Sequence, residues 1–354
     1  MISKFVSGFE SIIGQSQAIR ILTAHLSRGT IPHAFLFVGT AGVGKKTTAM
    51  TFAMACNCPN IASGAFDRND GGPVHPEVRP KRVNPCGRCR SCRKIQSENH
   101  PDFIHIKPSG PHIKIAQVRD LLNLLTVKPY EAVRRVVLLS EAQAMNTEAA
   151  NALLKVLEEP PPETILILTA REATDLLPTV KSRCQHIRFN PLSSAAIEKL
   201  LMENHGLEPK AAETLAIVGN GSYTRAASMI DSEWLQHRQW LLTASGLSQP
   251  RQLPSRPVFK LLAFAERLAR NKEIIPDSLE ILNSWLRDLI VFQISPDKII
   301  NKDLIGEIKS ASKEISPKWL LSKIDVIQRT QKVLQANANL RLTLEMMMLN
   351  LAAL

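Results

Sequence analysis

The run Gly39-Thr40-Ala41-Gly42-Val43-Gly44-Lys45 has the residue types and spacing to hold a phosphate group. Glycines at 39, 42 and 44 let backbone N–H groups turn inward around anionic oxygens, and Lys45 can reach the β- and γ-phosphates of a nucleotide. The loop follows the apolar run Ala34–Val38 and precedes a helical pattern starting near Lys46, which is the context such a loop requires. The residue after the lysine should carry a hydroxyl for Mg²⁺, but here it is Lys46, with Thr47 one place late. The second metal contact is altered as well. A companion strand normally ends in Asp-Glu, the Asp on Mg²⁺ and the Glu polarising the attacking water, whereas Val136–Leu139 runs into Ser140-Glu141. Serine is a poor replacement for a carboxylate on a hard cation. Hydrolysis of ATP by the chain alone is therefore not expected. Nucleotide binding through the loop backbone and Lys45 is left open.

Cys86-x-x-Cys89-x-x-Cys92 offers three thiolates on one tight turn, and a fourth ligand would complete the tetrahedral set of a structural Zn²⁺. Cys58 is the first choice for it, with Cys56, His75 and His100 as alternatives. Four sulfurs with no open position imply a structural centre. The stretch from Arg79 to Lys107 is strongly basic and could touch DNA, although a solvated charge run is the simpler account.

These residues need elements to hold them. Apolar, strand-length runs at Ala34–Val38, Phe103–Ile106, Val136–Leu139, Ile165–Leu168 and, more weakly, His186–Phe189 alternate with helical patterns, as in a parallel sheet covered on both faces. The clearest helix is Asn146 to Glu159, stopped by Pro160-Pro161-Pro162. The fold class is thus α/β through residue 190, then all-α. A small helical domain is expected over 191–246 and a second helical domain over 258–354. Leu247 to Pro257, with three prolines, reads as a linker or exposed connection. Residues 59–85 form a long loop with five prolines.

The 354 residues suit two or three domains, and 44% hydrophobic with 21% charged residues excludes wholesale disorder. A net charge of +12 favours a polyanionic partner, while 5% aromatics argues against gripping single strands mainly by stacking. There is no apolar run of membrane-span length and no signal-peptide pattern at the start, so a cytoplasmic protein without membrane contact is expected.

The run Ile31–Gly39, the GVGKK loop, Asn57-Cys58 followed by CGRCRSC, His100-Pro101-Asp102, Ala150–Pro160 and Ser182-Arg183-Cys184 together resemble the bacterial clamp-loader AAA+ subunits. The resemblance is dense over the first 190 residues. It thins to Gly221-Ser222, Arg225-Ala226, Trp285–Leu289, Asn337-Ala338-Asn339 and Leu344-Glu345 beyond them. It implies an AAA+ domain with a zinc module (insert 58–92), a small helical lid and a helical collar domain for oligomerisation. The implied assembly is a ring with gamma/tau and delta subunits that opens the sliding clamp and places it on primed DNA. GKK and Ser-Glu, in place of GKT or GKS and Asp-Glu, point to a ring member that does not hydrolyse ATP. Carried onto this sequence, Arg183 is the arginine finger offered in trans to a neighbour's ATP, Arg225 the lid's nucleotide-sensing residue and Thr169 the first sensor. The Met346-Met347-Met348 run is expected to pack in the collar. Two other functions compete: an active loader ATPase of the gamma/tau type, and a zinc-containing DNA-binding module on a vestigial AAA+ scaffold.

Overall fold

Five parallel strands form the central sheet: β1 (Ala34–Val38), β2 (Phe103–Ile106), β3 (Arg135–Leu139), β4 (Thr164–Ala170) and β5 (Gln185–Arg188). Their spatial order is β2-β3-β4-β1-β5. In this computed structural model residues 8–62, 83–312, 315–336 and 338–353 are described, and the chain divides into two compact units. The first runs through Leu200 and takes in Asn220–Arg225, whereas the second comprises Leu201–Gly219 and the chain from Ala226.

Within the first unit, alternation along the strands builds two apolar layers. Phe35, Phe37, Val136, Leu138, Ile165 and Ile167 face one cluster that includes Phe52 of the helix Lys45–Asn57. Leu36, Val137, Leu139, Leu166 and Leu168 face the other, packed by Leu153 and Leu157 of the helix Thr147–Glu158. That helix keeps its expected limits because the Asn146 side chain accepts from the Ala149 amide at one end and prolines follow Glu159 at the other. Burial on both faces holds for the central strands β1, β3 and β4. The edge strands β2 and β5 are partly exposed, which is why their runs are shorter and more polar.

The second unit is helical. Leu247 to Pro257 is no linker: Leu247 and Leu253 are fully buried, and the buried Trp285 indole donates to the Leu247 carbonyl at 2.8 Å. Pro250 opens a short turn, Pro250–Gln252, and is itself buried, while Pro257 stays exposed. The Trp285–Leu289 motif has a structural task here, since buried Asp288 accepts the amides of Ile300 and Asn301 at 2.9 and 2.7 Å. Met347 and Met348 pack inside as expected, but Met346 is half exposed. Most of the 59–85 loop, including His75, and Asn337 lie outside the described residues.

Candidate functional site

The phosphate loop leaves the C-terminal end of β1 and enters the helix Lys45–Asn57, here called the P-loop helix. Its glycines are there for space as well as for backbone freedom. A Cβ on Gly39 (φ 156°) would lie 2.5 Å from the Phe189 carbonyl oxygen. One on Gly42 (φ 77°) would meet the Ser222 hydroxyl at 2.2 Å and Thr224 at 2.9 Å. Gly44 also has positive φ. Buried Gln15 fixes the loop from below, its Nε2 donating to Val43 at 3.1 Å and Asn190 at 2.7 Å. Lys45 folds back to donate to the carbonyls of Gly39 and Thr40. Burial, then the charge of Arg171, lowers its pKa to about 8, with Glu141 opposing.

The two altered metal positions are connected. Lys46 Nζ lies 2.5 Å from Glu98 Oε1, Glu98 Oε2 lies 2.6 Å from His105 Nδ1, and His105 Nε2 lies 2.8 Å from Ser140 Oγ. A carboxylate only accepts, so neutral His105 carries its proton on Nδ1 and accepts the Ser140 hydroxyl at Nε2. Burial lowers the His105 pKa despite Glu98, in keeping with the neutral ring. Burial alone would raise the Glu98 pKa, but hydrogen bonds from Lys46 and His105 outweigh it and bring the carboxyl down to about 2. The residues present do not fit Mg²⁺. One ligand position holds a cation, the other a hydroxyl committed to His105, and the nearby carboxylate is already paired. Thr47 sits half-buried one residue further along the helix, about 100° around its axis from Lys46.

Glu141 follows in a left-handed conformation (φ 56°), and its amide donates to Thr169 Oγ1 at 3.1 Å, joining the end of β3 to the end of β4. Arg225 lies beside Ser222 and Thr224, which fill the space at Gly42, and its amide donates to Ser222 Oγ at 3.2 Å. Arg183 belongs to a different cluster. Its guanidinium contacts Glu158 at 2.7 Å, the Thr179 carbonyl at 2.9 Å and Ser182 Oγ at 3.3 Å. None of these is in the phosphate loop.

The thiols of Cys58, Cys86, Cys89 and Cys92 lie within 4.8 Å of one another. A tetrahedral Zn²⁺ with Zn–S bonds near 2.3 Å would place its sulfurs about 3.8 Å apart, so the donor set fits the ion after a small contraction. The Cys89 amide donates to Cys86 Sγ at 3.3 Å and the Cys92 amide to Cys89 Sγ at 3.4 Å, bonds that favour thiolates. Cys58 caps the C-terminus of the P-loop helix, which is how it reaches the knuckle. Cys56 lies outside this group of thiols, and burial pushes its thiol up to about 12. His100 is engaged elsewhere, its Nδ1 accepting the Asp102 amide at 3.1 Å.

Sequence reasoning missed Glu98, His105, Gln15 and Arg171. Glu98 carried a faint signal as an acid within a basic stretch, and His105 as a polar residue inside a strand run. Asp102, part of the His-Pro-Asp triplet, is 1% exposed, accepts the amides of Tyr130, Glu131 and Ala132, and pairs with Arg135, which is 5% exposed. That triplet anchors a loop.

A parallel sheet in this order, with a glycine loop after β1 and an acidic turn after β3, defines a P-loop domain of the AAA+ class. Residues 14–71 and 76–193 match the family described as DNA polymerase III, delta subunit, and residues 232–353 match DNA polymerase III, delta subunit, C terminal. DNA polymerase III subunit delta' of Pseudomonas aeruginosa is 31% identical over 344 residues, covering 91% of this chain and 92% of that protein. The same-named protein of Bacillus subtilis is 28% identical, covering 95% and 96%. DNA polymerase III subunit tau of Bacillus subtilis is 26% identical, covering 92% of this chain and 58% of that protein. The chain belongs to the bacterial DNA polymerase III delta' family. No helix among the described residues is long and apolar enough to cross a membrane.

Proposed function

We propose that this chain is a clamp-loader subunit that does not hydrolyse ATP and works through its neighbours. It sits in a ring with gamma/tau and delta subunits and helps open the sliding clamp and load it on primed DNA. Arg183 is its arginine finger toward an adjacent ATP, Thr169 and Arg225 are sensor positions, and Zn²⁺ on the cysteine cluster is structural. The working division is an AAA+ domain to residue 190, a lid over 191–246 and a collar over 258–354.

The observation that carries this reading is the coincidence of family membership with a phosphate loop whose two metal positions are a lysine and a serine, joined through Glu98 and His105. In phosphoryl transfer the protein supplies mainly positioning and charge, so losing both metal contacts removes most of the catalytic apparatus. The test is steady-state ATP turnover by the purified chain with Mg²⁺, compared with a Lys45→Ala variant. The same background rate is expected for both. Turnover at the level of an active loader ATPase, abolished by Lys45→Ala, would instead make this chain a hydrolysing subunit.

A further inference from the structure

Lys46 and Ser140 occupy the places where a P-loop domain holds its divalent cation, and between them Glu98 and His105 complete an unbroken chain of contacts of 2.5, 2.6 and 2.8 Å. Lys107 adds a second ammonium 3.5 Å from Glu98. The groups at and between the two altered positions are committed to protein partners. The Glu98 carboxylate is shared between two lysines and an imidazole, the Ser140 hydroxyl is donated to His105, and Lys46 can only repel a metal ion. The arrangement is held deliberately. Glu98 has φ 56°, a left-handed conformation that a non-glycine residue keeps only where surrounding contacts enforce it. Those contacts come from the helix Arg90–Gln96, whose Ile95 carbonyl accepts the Glu98 amide at 3.0 Å and whose Cys92 is one of the clustered thiols. The cysteine cluster that ties Cys58 at one end of the P-loop helix therefore also places the carboxylate that captures Lys46 at the other end.

The phosphate-holding part of the loop is unaltered by this. Among the described residues the amides of Thr40, Ala41, Gly42 and Gly44 have no backbone acceptor, Val43 closes a tight turn over Ala41 and Gly42, and Lys45 covers the loop by donating to Gly39 and Thr40, contacts a phosphate can replace. Lys45, Lys46, Lys107 and Arg171 supply positive charge around it, offset by Glu98 and Glu141.

We propose that the Lys46–Glu98–His105–Ser140 chain closes the divalent-cation position, and that this loop takes a nucleoside di- or triphosphate without Mg²⁺. The inference shares with the function proposed above the premise that the metal position is closed, and adds that the phosphate position is not. The experiment is calorimetric titration of the full chain with ADP and with ATPγS, once with Mg²⁺ and once with EDTA. Affinities equal within about twofold in the two buffers are expected. A Lys46→Thr/Ser140→Asp double variant, which restores the hydroxyl and the carboxylate, is expected to gain about tenfold or more from Mg²⁺. Binding to the native chain that is about tenfold tighter with Mg²⁺ overturns the proposal. So does absence of binding in both buffers, and so does a folded double variant that remains indifferent to the metal. Should the double variant not fold by circular dichroism, the native titrations decide alone. Turnover of the native chain, measured separately, judges the non-hydrolysing reading whichever way the titrations fall.

Discussion

Arg183 spends its guanidinium on Glu158, Thr179 and Ser182 in the free chain, a half-exposed ion pair of the kind worth at most about 1 kcal/mol. A weak tether suits the finger role proposed for Arg183, in which it would exchange its partner for a neighbour's γ-phosphate, because a finger arginine contributes about 10³ to 10⁵ in rate at the site it serves. Arg183→Ala in the reconstituted loader should lower the clamp- and DNA-stimulated ATPase in part, since one of several sites loses its finger, while the complex still assembles. An unchanged rate would return Arg183 to an ordinary surface role. At this scale the sequence is readable where a motif fixes the spacing: the glycines turn into the P-loop helix at Lys45, and the three knuckle cysteines gather with Cys58. It is mute where a residue acts through a long-range contact. Lys46 and Glu98 are 52 positions apart and His105 and Ser140 are 35, so no local pattern announces either bond.

The P-loop helix is the element on which the account turns. Lys45 and Lys46 stand at its start, and Cys58 caps its end. The Asn57 side chain bonds the Arg134 amide and carbonyl, both at 2.9 Å, and locks that end to the start of β3. Cys58 is the first choice from sequence among Cys58, Cys56, His75 and His100, and the end of the helix at Asn57 shows why it reaches the knuckle: as the C-cap residue it joins Cys86, Cys89 and Cys92, whereas Cys56 stays on the helix outside that group. Purified chain should carry about one Zn²⁺, and Cys58→Ser should lose most of it, because three thiolates leave the tetrahedral shell open. Its melting temperature should fall by several degrees, at about 2–4 °C for each kcal/mol lost in a domain of this size. Elemental analysis and thermal melts check both. Undiminished zinc in Cys58→Ser would move the fourth ligand elsewhere.

For the molecule as a whole, the α/β-to-helical change was legible because strand-length apolar runs cease after Phe189. The Leu247–Pro257 turn was not. Its prolines and lack of acids look like a linker, and what makes it part of the second unit is burial of Leu247 and Leu253 with a hydrogen bond from Trp285, 38 residues away. That unit leaves Phe259, Ile294, Leu321 and Leu342 more than half exposed. The most direct test of the central claim is size-exclusion chromatography of the purified chain mixed with the gamma/tau and delta subunits of its own replication machinery. A single complex containing all three is the predicted result. Elution of this chain apart from an otherwise assembled gamma/tau–delta complex would contradict the account.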